Sequence, residues 1–511
     1  MKTGETYLTK TRYIDGLRCS KKLWLGWHEP SLRKDPEPFS PLDVGNRIGA
    51  KAHLLFPGGV RVEEEAYQHE EAVETTKALV NDPSIPAIFE AAFDYDDVRI
   101  RVDVLERLSD HAWGIREVKS SGTVSSDKGH YDDVAVQLYV VEGAGLAVSS
   151  VELIHVNRGY TREDGEIDWP SFFSRADLTE AARNRLAGIG RDIPQMQLIL
   201  NQATTPEIFA TKALCGAPYR CEFWGQCMAA KPDDWVGHLP RIGKSLEVLH
   251  HRGVDSIRKI PDNFELSDTQ AMIRQSIISG KPKVLPGLPM ALQGFGPPAY
   301  YLDFETMMPA IPAYPQTKPY ERIAFQWSLH LMGQDGAISH QEFLASGDED
   351  PRREVAESLI AAVSIPDIPI VVYHETTEKG ILQSLEKKLP NLAESLSSIR
   401  GRVVDLHPIV RDHIVHPGFF TANALESSAY SIKNVLPVLV PGEDHKNLLG
   451  VSKGLDASQT FEAIIHGVHD NEKEEALRQE LREYCKKDTS GMVDIQKVLQ
   501  NSSQPDSALQ H

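Results

Sequence analysis

The sequence predicts an α/β protein with mixed sheets, built from two modules that a helical connector joins. Apolar, β-branched segments alternate with helical patterns over residues 98–156, and a second such series begins at residue 300. Between them, residues 236–292 combine two helical patterns with edges rich in glycine and proline. A chain of 511 residues is long enough for two or three domains, each with its own core.

The first module is predicted to span residues 1–235. Thr9 is a suitable N-cap for a helix that runs to about Leu25 and contains Cys19. The segments that follow predict a strand-strand-helix-strand order, with strands over 98–105 and 113–118, a helix over 132–141 and a strand over 151–156.

The second module is predicted to span residues 293–499, after the connector of residues 236–292. Its predicted strands cover 300–304, 365–373 and 401–406, and its predicted helices cover 378–388 and 473–499. Residues 500–511 are polar and are predicted to form a disordered tail.

Composition indicates a cytoplasmic protein but argues against a generally basic surface. The chain contains no apolar run long enough to cross a membrane, and its start lacks the apolar stretch of a signal peptide. The formal net charge of −19 is divided almost evenly, with −10 in residues 1–240 and −9 in residues 241–511. Binding to nucleic acid would therefore require a local basic groove.

One acidic motif in the first module has the composition of a metal-dependent nuclease site. Asp103 lies on one predicted strand, and Glu117 and Lys119 lie two residues apart on the next, so their side chains share a face. Carboxylates are the ligands that Mg²⁺ and Mn²⁺ prefer, and a lysine beside them can orient water or offset developing charge. The alternative for Glu-x-Lys alone is a surface salt bridge on an edge strand.

Together with His53 upstream and Gln137 downstream, this motif resembles the PD-(D/E)XK nuclease superfamily, and within it the RecB-like exonucleases. The resemblance implies a restriction-endonuclease-like fold. It also implies that His53, Asp103 and Glu117 bind metal, that Lys119 is catalytic, and that Gln137 lies near the DNA.

Four of the five cysteines flank this motif, with Cys19 before it and Cys215, Cys221 and Cys227 after it. Clustered cysteines in a cytosolic protein suggest a metal site, either zinc or an iron–sulfur cluster. The arrangement resembles that of the iron–sulfur RecB-like nucleases, including the CRISPR-associated exonucleases. That resemblance implies a [4Fe-4S] cluster of structural role that ties the ends of the module together.

A second acidic motif lies in the C-terminal module. Asp303 and Glu305 share one face of a predicted strand, and Tyr484 and Asp488 lie four residues apart on a predicted helix. This combination resembles the DEDD exonucleases of the RNase H-like fold, in the subgroup with a tyrosine in the last motif. A fourth acid is expected after a strand, and Glu378 is the first candidate, with Glu375 as the second.

The middle of the second module also resembles an uncharacterised bacterial family in which the two modules occur together. The matching stretches are YLDFET, PYERIAFQWSLH, SAYSIKNVLP and YCKKDTSGM. The sequence thus predicts a Mg²⁺- or Mn²⁺-dependent DNA exonuclease with two active sites, acting on single-stranded or frayed DNA. The alternatives are RNA 3′-end cleavage by the second module, a binding or adaptor protein with one inactive module, and a redox switch.

Overall fold

The computed structural model describes residues 6–32, 39–217, 219–421, 428–443 and 454–503, without the side chains of residues 454–456. It divides into two compact units. Residues 1–230 and 309–321 form the first, and residues 231–308 and 322–511 form the second. The division falls close to the predicted boundary at residue 235, and the predicted connector groups with the second unit.

A mixed seven-stranded sheet forms the centre of the first unit. Its strands are β1 (Leu8–Thr9), β2 (Val60–Arg61), β3 (Ala87–Tyr95), β4 (Val98–Ser109), β5 (Ala112–Lys119), β6 (Val148–Val156) and β7 (Phe173–Asp177). The order is β2-β3-β4-β5-β6-β7, and β1 pairs with β4. The long strands β4 and β5 are antiparallel, whereas β5 and β6 are parallel because α5 connects β5 to β6.

Helices cover this sheet and bury its apolar side chains. They are α1 (Lys10–Arg18), α2 (Ser20–His28), α3 (Pro41–Ala52), α4 (His69–Val80), α5 (His130–Gly143), α6 (Trp169–Phe172), α7 (Thr179–Arg183), α8 (Leu186–Leu200), α9 (Lys212–Gly216) and α10 (Trp224–Met228). The α5 helix is almost wholly buried against the strands. The predicted strand-strand-helix-strand order is confirmed over β4, β5, α5 and β6, while β3 and β7 were not predicted.

The predicted N-terminal helix is only partly correct. The Thr9 hydroxyl accepts a hydrogen bond from the backbone N–H of Arg12, which confirms Thr9 as the N-cap of α1. The single helix to Leu25 is wrong, because Cys19 has an extended backbone between α1 and α2. Cys19 therefore lies at the junction between α1 and α2 and not within one continuous helix.

The second unit begins with α11 (Lys244–His251) and α12 (Asp268–Ser279), which confirm the two helical patterns of the connector. The remaining elements are β8 (Lys283–Val284), α13 (Leu288–Ala291), β9 (Ala299–Met307), β10 (Ile323–Met332), β11 (Ile338–Leu344), α14 (Arg352–Ala362), β12 (Ile370–Val372), α15 (Glu375–Lys388), α16 (Ala393–Gly401), β13 (Val403–Asp405), α17 (Leu406–His413), β14 (Ile414–Val415), α18 (Ile432–Leu439), α19 (Gly454–Ile465) and α20 (Asn471–Ser502).

A five-stranded sheet with the order β11-β10-β9-β12-β13 organises this unit. The strands β9, β10 and β11 are antiparallel, and β12 and β13 continue the sheet in parallel with β9. This arrangement puts β9, the strand with the Asp-x-Glu motif, at the centre of the sheet. The core includes side chains of β9, β10, α14, α15 and α16.

Several predicted bounds in the second unit differ from the structure. The strand predicted over residues 365–373 is reduced to β12, because Pro366 and Pro369 precede it and the chain turns there. The α20 helix continues to Ser502, into the first residues of the predicted tail, and residues 504–511 lie outside the described residues. Among the helices that the structure describes, none is long and apolar enough to cross a membrane.

Residues 309–321 follow β9 in sequence but belong to the first unit. Ala310, Ile311 and Tyr320 pack in the same core cluster as Val118 of β5. The Tyr320 hydroxyl donates a hydrogen bond to the backbone carbonyl of Ser120, the residue after Lys119. This segment thus supports the end of β5 that carries the predicted catalytic lysine.

Candidate active sites

The strands β4 and β5 bring the acidic residues of the first motif together. Their antiparallel register pairs Val104 with Arg116, so Asp103 follows at the end of the ladder beside Glu117. The Asp103 carboxylate accepts a hydrogen bond of 2.8 Å from the backbone N–H of Val118. Asp103 and Glu117 therefore face one another across two neighbouring strands.

Polar side chains converge with Asp103 around Glu117, which is only 1% exposed. The Lys119 ammonium lies 2.5 Å from Glu117 Oε1, and the Gln137 side-chain amide donates to Glu117 Oε2 at 2.7 Å. Lys119 also pairs with Asp133, which lies one helical turn before Gln137 on α5. The carboxylate is thus held from several directions.

Lys10 is a functional candidate that the sequence analysis missed. Its ammonium lies 2.9 Å from both oxygens of Glu117, 3.8 Å from Asp103 Oδ1 and 3.6 Å from Asp133 Oδ1. Since Lys10 and Glu117 are 107 residues apart, no local pattern indicates this contact. Asp133 was also missed, although its spacing of four residues from Gln137 on a helix is a usable signal.

The charges at this site and its burial shift the pKa values of its two acids in opposite directions. Burial raises the pKa of Asp103 to about 7, assisted by the charge of Glu117 and opposed by Lys10 and Lys119. Burial acts on Glu117 in the same direction, but the two ammonium groups outweigh it and hold the pKa of Glu117 well below its usual range. Glu117 is therefore the permanently charged carboxylate of the pair.

His53 lines the same cavity as Asp103, Glu117 and Lys119. This cavity has a volume of about 1100 Å³. It lies directly after α3, and its ring stacks on Phe89 with a centroid separation of 4.0 Å. Burial lowers the pKa of His53, which favours the neutral imidazole that ligates metals. Asp103, Glu117 and His53 are donors of the types that bind divalent cations, but among the described residues their ligand atoms do not all lie within 4.8 Å of one another.

Gln137 has no exposed surface in this structure. Its amide nitrogen donates to Glu117 and to Asp133, and its carbonyl oxygen has no hydrogen-bond partner. These contacts give Gln137 a role in orienting Glu117, and its contact with DNA stays a prediction.

The same cavity provides a local basic surface. Six cationic side chains and three carboxylates are among its lining residues. The cations are Lys10, Arg12, Arg61, Arg99, Arg101 and Lys119, and the carboxylates are Glu90, Asp103 and Glu117. Despite the net charge of −19 for the whole chain, this cavity has the sign of charge that attracts a polyanion.

The four cysteines of the first module line one small cavity, together with Arg18, Lys21 and Lys22. All four are free thiols. Burial raises the pKa of Cys215 to about 11, and the neighbouring Cys227, Cys221 and Cys19 contribute to the shift. The chain therefore brings Cys19 to the group formed by residues 215–227, as the predicted ligand set requires.

The spacing of these sulfur atoms bears on which group they fit. Tetrahedral zinc with Zn–S bonds of about 2.3 Å needs sulfur atoms roughly 3.8 Å apart. Among the described residues, no three of these cysteines have sulfur atoms within 4.8 Å of one another. In this arrangement the thiols are therefore not gathered as closely as a single tetrahedral zinc ion requires.

The second motif is assembled on β9 and α20. Asp303 and Glu305 lie on the central strand, and Tyr484, Cys485 and Asp488 lie on the helix. Ligand atoms of Asp303, Glu305 and Cys485 all lie within 4.8 Å of one another. Cys485, which the sequence analysis did not single out, thus lies directly at the site, with its sulfur 3.7 Å from Asp303 Oδ2.

The acids of this second site influence one another strongly. Burial raises the pKa of Asp303, and the charges of Asp488, Glu305 and Glu378 raise it further. Burial and Asp488 raise the pKa of Glu305 to about 8, against the effect of Lys433. Asp303 is therefore close enough to interact with the other three predicted acids, and a divalent cation would relieve this repulsion.

Glu378 occupies the first turn of α15 and is 3% exposed. Its Oε2 atom is buried without a hydrogen-bond partner, and burial raises the pKa of Glu378 to about 8. By contrast, the Glu375 carboxylate is 43% exposed and lies 2.5 Å from the Lys379 ammonium. The structure therefore favours Glu378 over Glu375 as the fourth acid.

Two further side chains support this site. Asp405 accepts hydrogen bonds from the backbone N–H groups of His374 and Glu375 at 3.0 and 3.1 Å, so it anchors the start of α15. The Lys433 ammonium lies 4.9 Å from the centre of the Tyr484 ring. Burial, together with Asp488, Glu305 and Asp303, raises the pKa of Tyr484, which keeps the phenol protonated.

The comparisons with known proteins give a partial match. Residues 300–423 match a family described as a domain of unknown function (DUF2779). This span includes Asp303, Glu305 and Glu378 and ends before Tyr484 and Asp488. No curated protein matches the chain.

Proposed function

We propose that this protein is a metal-dependent phosphodiester hydrolase with one active site in each unit. The observation that carries this proposal is the placement of Asp103, Glu117 and Lys119 in a cavity lined by six cations. A phosphodiester substrate needs both features, because its charge must be attracted and its phosphorus must be made electrophilic.

In the first site, Asp103, Glu117 and His53 would hold the divalent cation, which when bound polarises the phosphate and acidifies water. Lys119 donates toward the reacting oxygens and offsets negative charge that develops on the phosphate. Gln137 and Asp133 fix the orientations of Glu117 and Lys119.

In the second site, Asp303, Glu305, Glu378 and Asp488 would hold cations. The protonated phenol of Tyr484 can orient an attacking water by hydrogen bonding. The proximity of Asp303 and Glu305 on one strand, and the electrostatic interaction of Asp303 with Glu305, Glu378 and Asp488, support this assignment. We therefore propose a PD-(D/E)XK fold for the first unit and an RNase H-like exonuclease fold for the second.

DNA is the proposed substrate, single-stranded or frayed at its end, and an RNA 3′ end is the alternative for the second site. Cys19, Cys215, Cys221 and Cys227 would hold a [4Fe-4S] cluster of structural role, with zinc as the alternative. The convergence of these four cysteines on one cavity supports a shared metal group. We propose a cytoplasmic location, in keeping with the free thiols.

A cleavage assay on 5′- and 3′-labelled single-stranded DNA with Mn²⁺ tests this function. It compares the wild type with Lys119→Ala, Asp303→Ala and the double variant. We expect each single variant to lose a different set of products, and the double variant to lose all cleavage. The absence of Mn²⁺-dependent cleavage by the wild type on DNA and RNA would overturn the proposal.

A second candidate is a nucleic-acid-binding protein whose C-terminal site is inactive. The observation that favours it is Glu378, a glutamate where the resemblance expects an aspartate. If Lys119→Ala alone abolishes cleavage and Asp303→Ala has no effect on either DNA or RNA, this second candidate replaces the two-site proposal.

A further inference from the structure

Two arginines at the cavity of the first unit stack on aromatic rings. The Arg12 guanidinium lies 4.4 Å from the centre of the Trp27 ring and 5.2 Å from that of Tyr7. The Arg99 guanidinium lies 4.1 Å from the centre of the Tyr7 ring. Tyr7 and Trp27 themselves meet edge to face at 5.3 Å, so the four side chains form one connected group.

The other cations of the cavity already have partners. Lys10 and Lys119 contact Glu117, and Arg61 lies 3.8 Å from Glu63. Arg101 donates to the backbone carbonyls of Glu64, Glu65 and Glu90.

Arg12 and Arg99 differ from these four. Neither forms a salt bridge with any residue that the structure describes. One terminal nitrogen of Arg12 is buried without a hydrogen-bond partner, although burying an unpaired donor costs free energy. Since both side chains line the cavity together with Asp103 and Glu117, a ligand in this cavity can reach them.

Stacking on an aromatic ring fixes the plane of a guanidinium and leaves its N–H edge available. Two such fixed forks suit oxyanions of tetrahedral phosphate, which they can bind through paired hydrogen bonds. The faces of Tyr7 are engaged by arginine, which argues for phosphate binding here rather than for base stacking.

We propose that Arg12 and Arg99, held by Tyr7 and Trp27, form a phosphate-binding subsite for the backbone of the nucleic-acid strand, separate from the phosphate that is cleaved. This inference rests on the proposed function for the identity of the polyanion. The subsite recognises the phosphodiester backbone that DNA and RNA share, and it positions the strand across the carboxylate pair.

Binding of fluorescein-labelled oligo(dT) and oligo(rU) to the full-length protein in EDTA tests the subsite, with fluorescence anisotropy as the readout. We expect Arg12→Ala and Arg99→Ala each to weaken binding about tenfold, as the loss of a charge-assisted hydrogen bond predicts. The logarithm of the association constant falls linearly with the logarithm of the salt concentration. Each variant should make this fall less steep by about 0.7, the value for one phosphate contact on a single strand. Tighter binding of one oligonucleotide would identify the source of the phosphates.

Arg185→Ala is the matched control. The Arg185 guanidinium also lies over a tyrosine, 5.0 Å from the centre of Tyr131, but it is not among the residues that line the cavity. Arg12→Lys and Arg99→Lys keep the charge without the fork, and we expect them to retain the salt slope with intermediate affinity. They also keep the test decisive if an alanine variant fails to fold.

The outcomes separate this inference from the proposed function. Unchanged affinity in both arginine variants, equal loss in Arg185→Ala, or no binding by the wild type overturns the subsite. Mn²⁺-dependent cleavage by the wild type with unchanged binding in the variants leaves the nuclease proposal intact and removes only the subsite. Binding that depends on Arg12 and Arg99 in a protein without cleavage supports the subsite and removes the nuclease.

Discussion

At the scale of single residues, the first site contains more positive charge than its motif indicates. Lys10 reaches Glu117 from the start of α1 and contacts both carboxylate oxygens. It therefore neutralises the acids in the absence of a metal ion. A divalent cation at the proposed site of Asp103 and Glu117 would compete with this ammonium, so we expect Lys10 to lower the affinity of that site for metal.

Replacing Lys10 by methionine should remove this neutralisation of the acids and raise the affinity of the site for metal. We expect Lys10→Met to destabilise the protein in EDTA by about 2–4 kcal/mol, because a buried carboxylate loses one of its partners. Added Mn²⁺ should stabilise the variant more than the wild type, because the freed carboxylates bind the cation. Urea unfolding with and without Mn²⁺ measures both, and Lys77→Met, at an exposed ion pair, is the control. Equal stabilisation of wild type and Lys10→Met by Mn²⁺ would contradict the competition.

Glu378 makes the metal-free stability depend on pH. Burial raises its pKa to about 8, so between its unfolded value and about 8 the folded state binds more protons than the unfolded state. Its contribution to stability is thus fully present below the unfolded pKa and is lost as the pH rises to about 8. We expect Glu378→Gln to lose less stability than the wild type between about pH 5 and about pH 9 in EDTA. If the free energy of unfolding in urea changes with pH in the same way for the wild type and for Glu378→Gln, the Glu378 carboxyl is not desolvated.

At the scale of elements, the start of α15 shows how one side chain positions another. Asp405 accepts hydrogen bonds from His374 and Glu375, and His374 has a left-handed backbone with φ of 84°. This anchor places Glu378 one turn further along the helix. The position of Glu378 at the site thus depends on a residue of the neighbouring strand β13.

Asp405→Ala should separate the role of this anchor from that of the acid. The loss of a cap of this type costs about 1–2 kcal/mol, and Glu378 loses its fixed position. We expect lower cleavage by the C-terminal site while the products that depend on Lys119 persist. Asp412→Ala, which removes an exposed partner of Arg411, is the control. Unchanged cleavage by the C-terminal site in Asp405→Ala would show that the anchor does not position Glu378.

The elements also show which patterns are informative. The strands β4 and β5 were predicted because branched apolar residues alternate along them, and α20 because its helical pattern is long. The strand β10 was not predicted, although Phe325, Trp327, Leu329 and Leu331 alternate with polar residues along it, the pattern that favours a strand. No proline or glycine lies at the junction itself, and the nearby Gly16 is inside α1, so local patterns do not predict the break at Cys19.

At the scale of the whole molecule, pairings between distant residues separate what the sequence predicts from what it does not. The motifs predicted the acids of both sites, because Asp103, Glu117, Asp303 and Glu305 lie on strands with a known spacing. Lys10 was missed because its contact with Glu117 joins distant parts of the chain. Local sequence patterns likewise do not predict that residues 309–321 belong to the first unit, since these residues come soon after β9 in the sequence.

The cysteine group makes the longest of these connections and gives the last prediction. A cluster that joins Cys19 to Cys215 closes a loop of about 200 residues, which by chain entropy alone stabilises the fold by about 5 kcal/mol. Anaerobically purified wild type should be brown, with broad absorbance at about 400 nm. Cys227→Ser should lose this absorbance and destabilise the first unit, while the Asp303-dependent products persist. Cys485→Ser is the matched control, since Cys485 is also buried but lies at the second site, and it should keep the colour. A colourless wild type with stoichiometric zinc would replace the cluster by a zinc site.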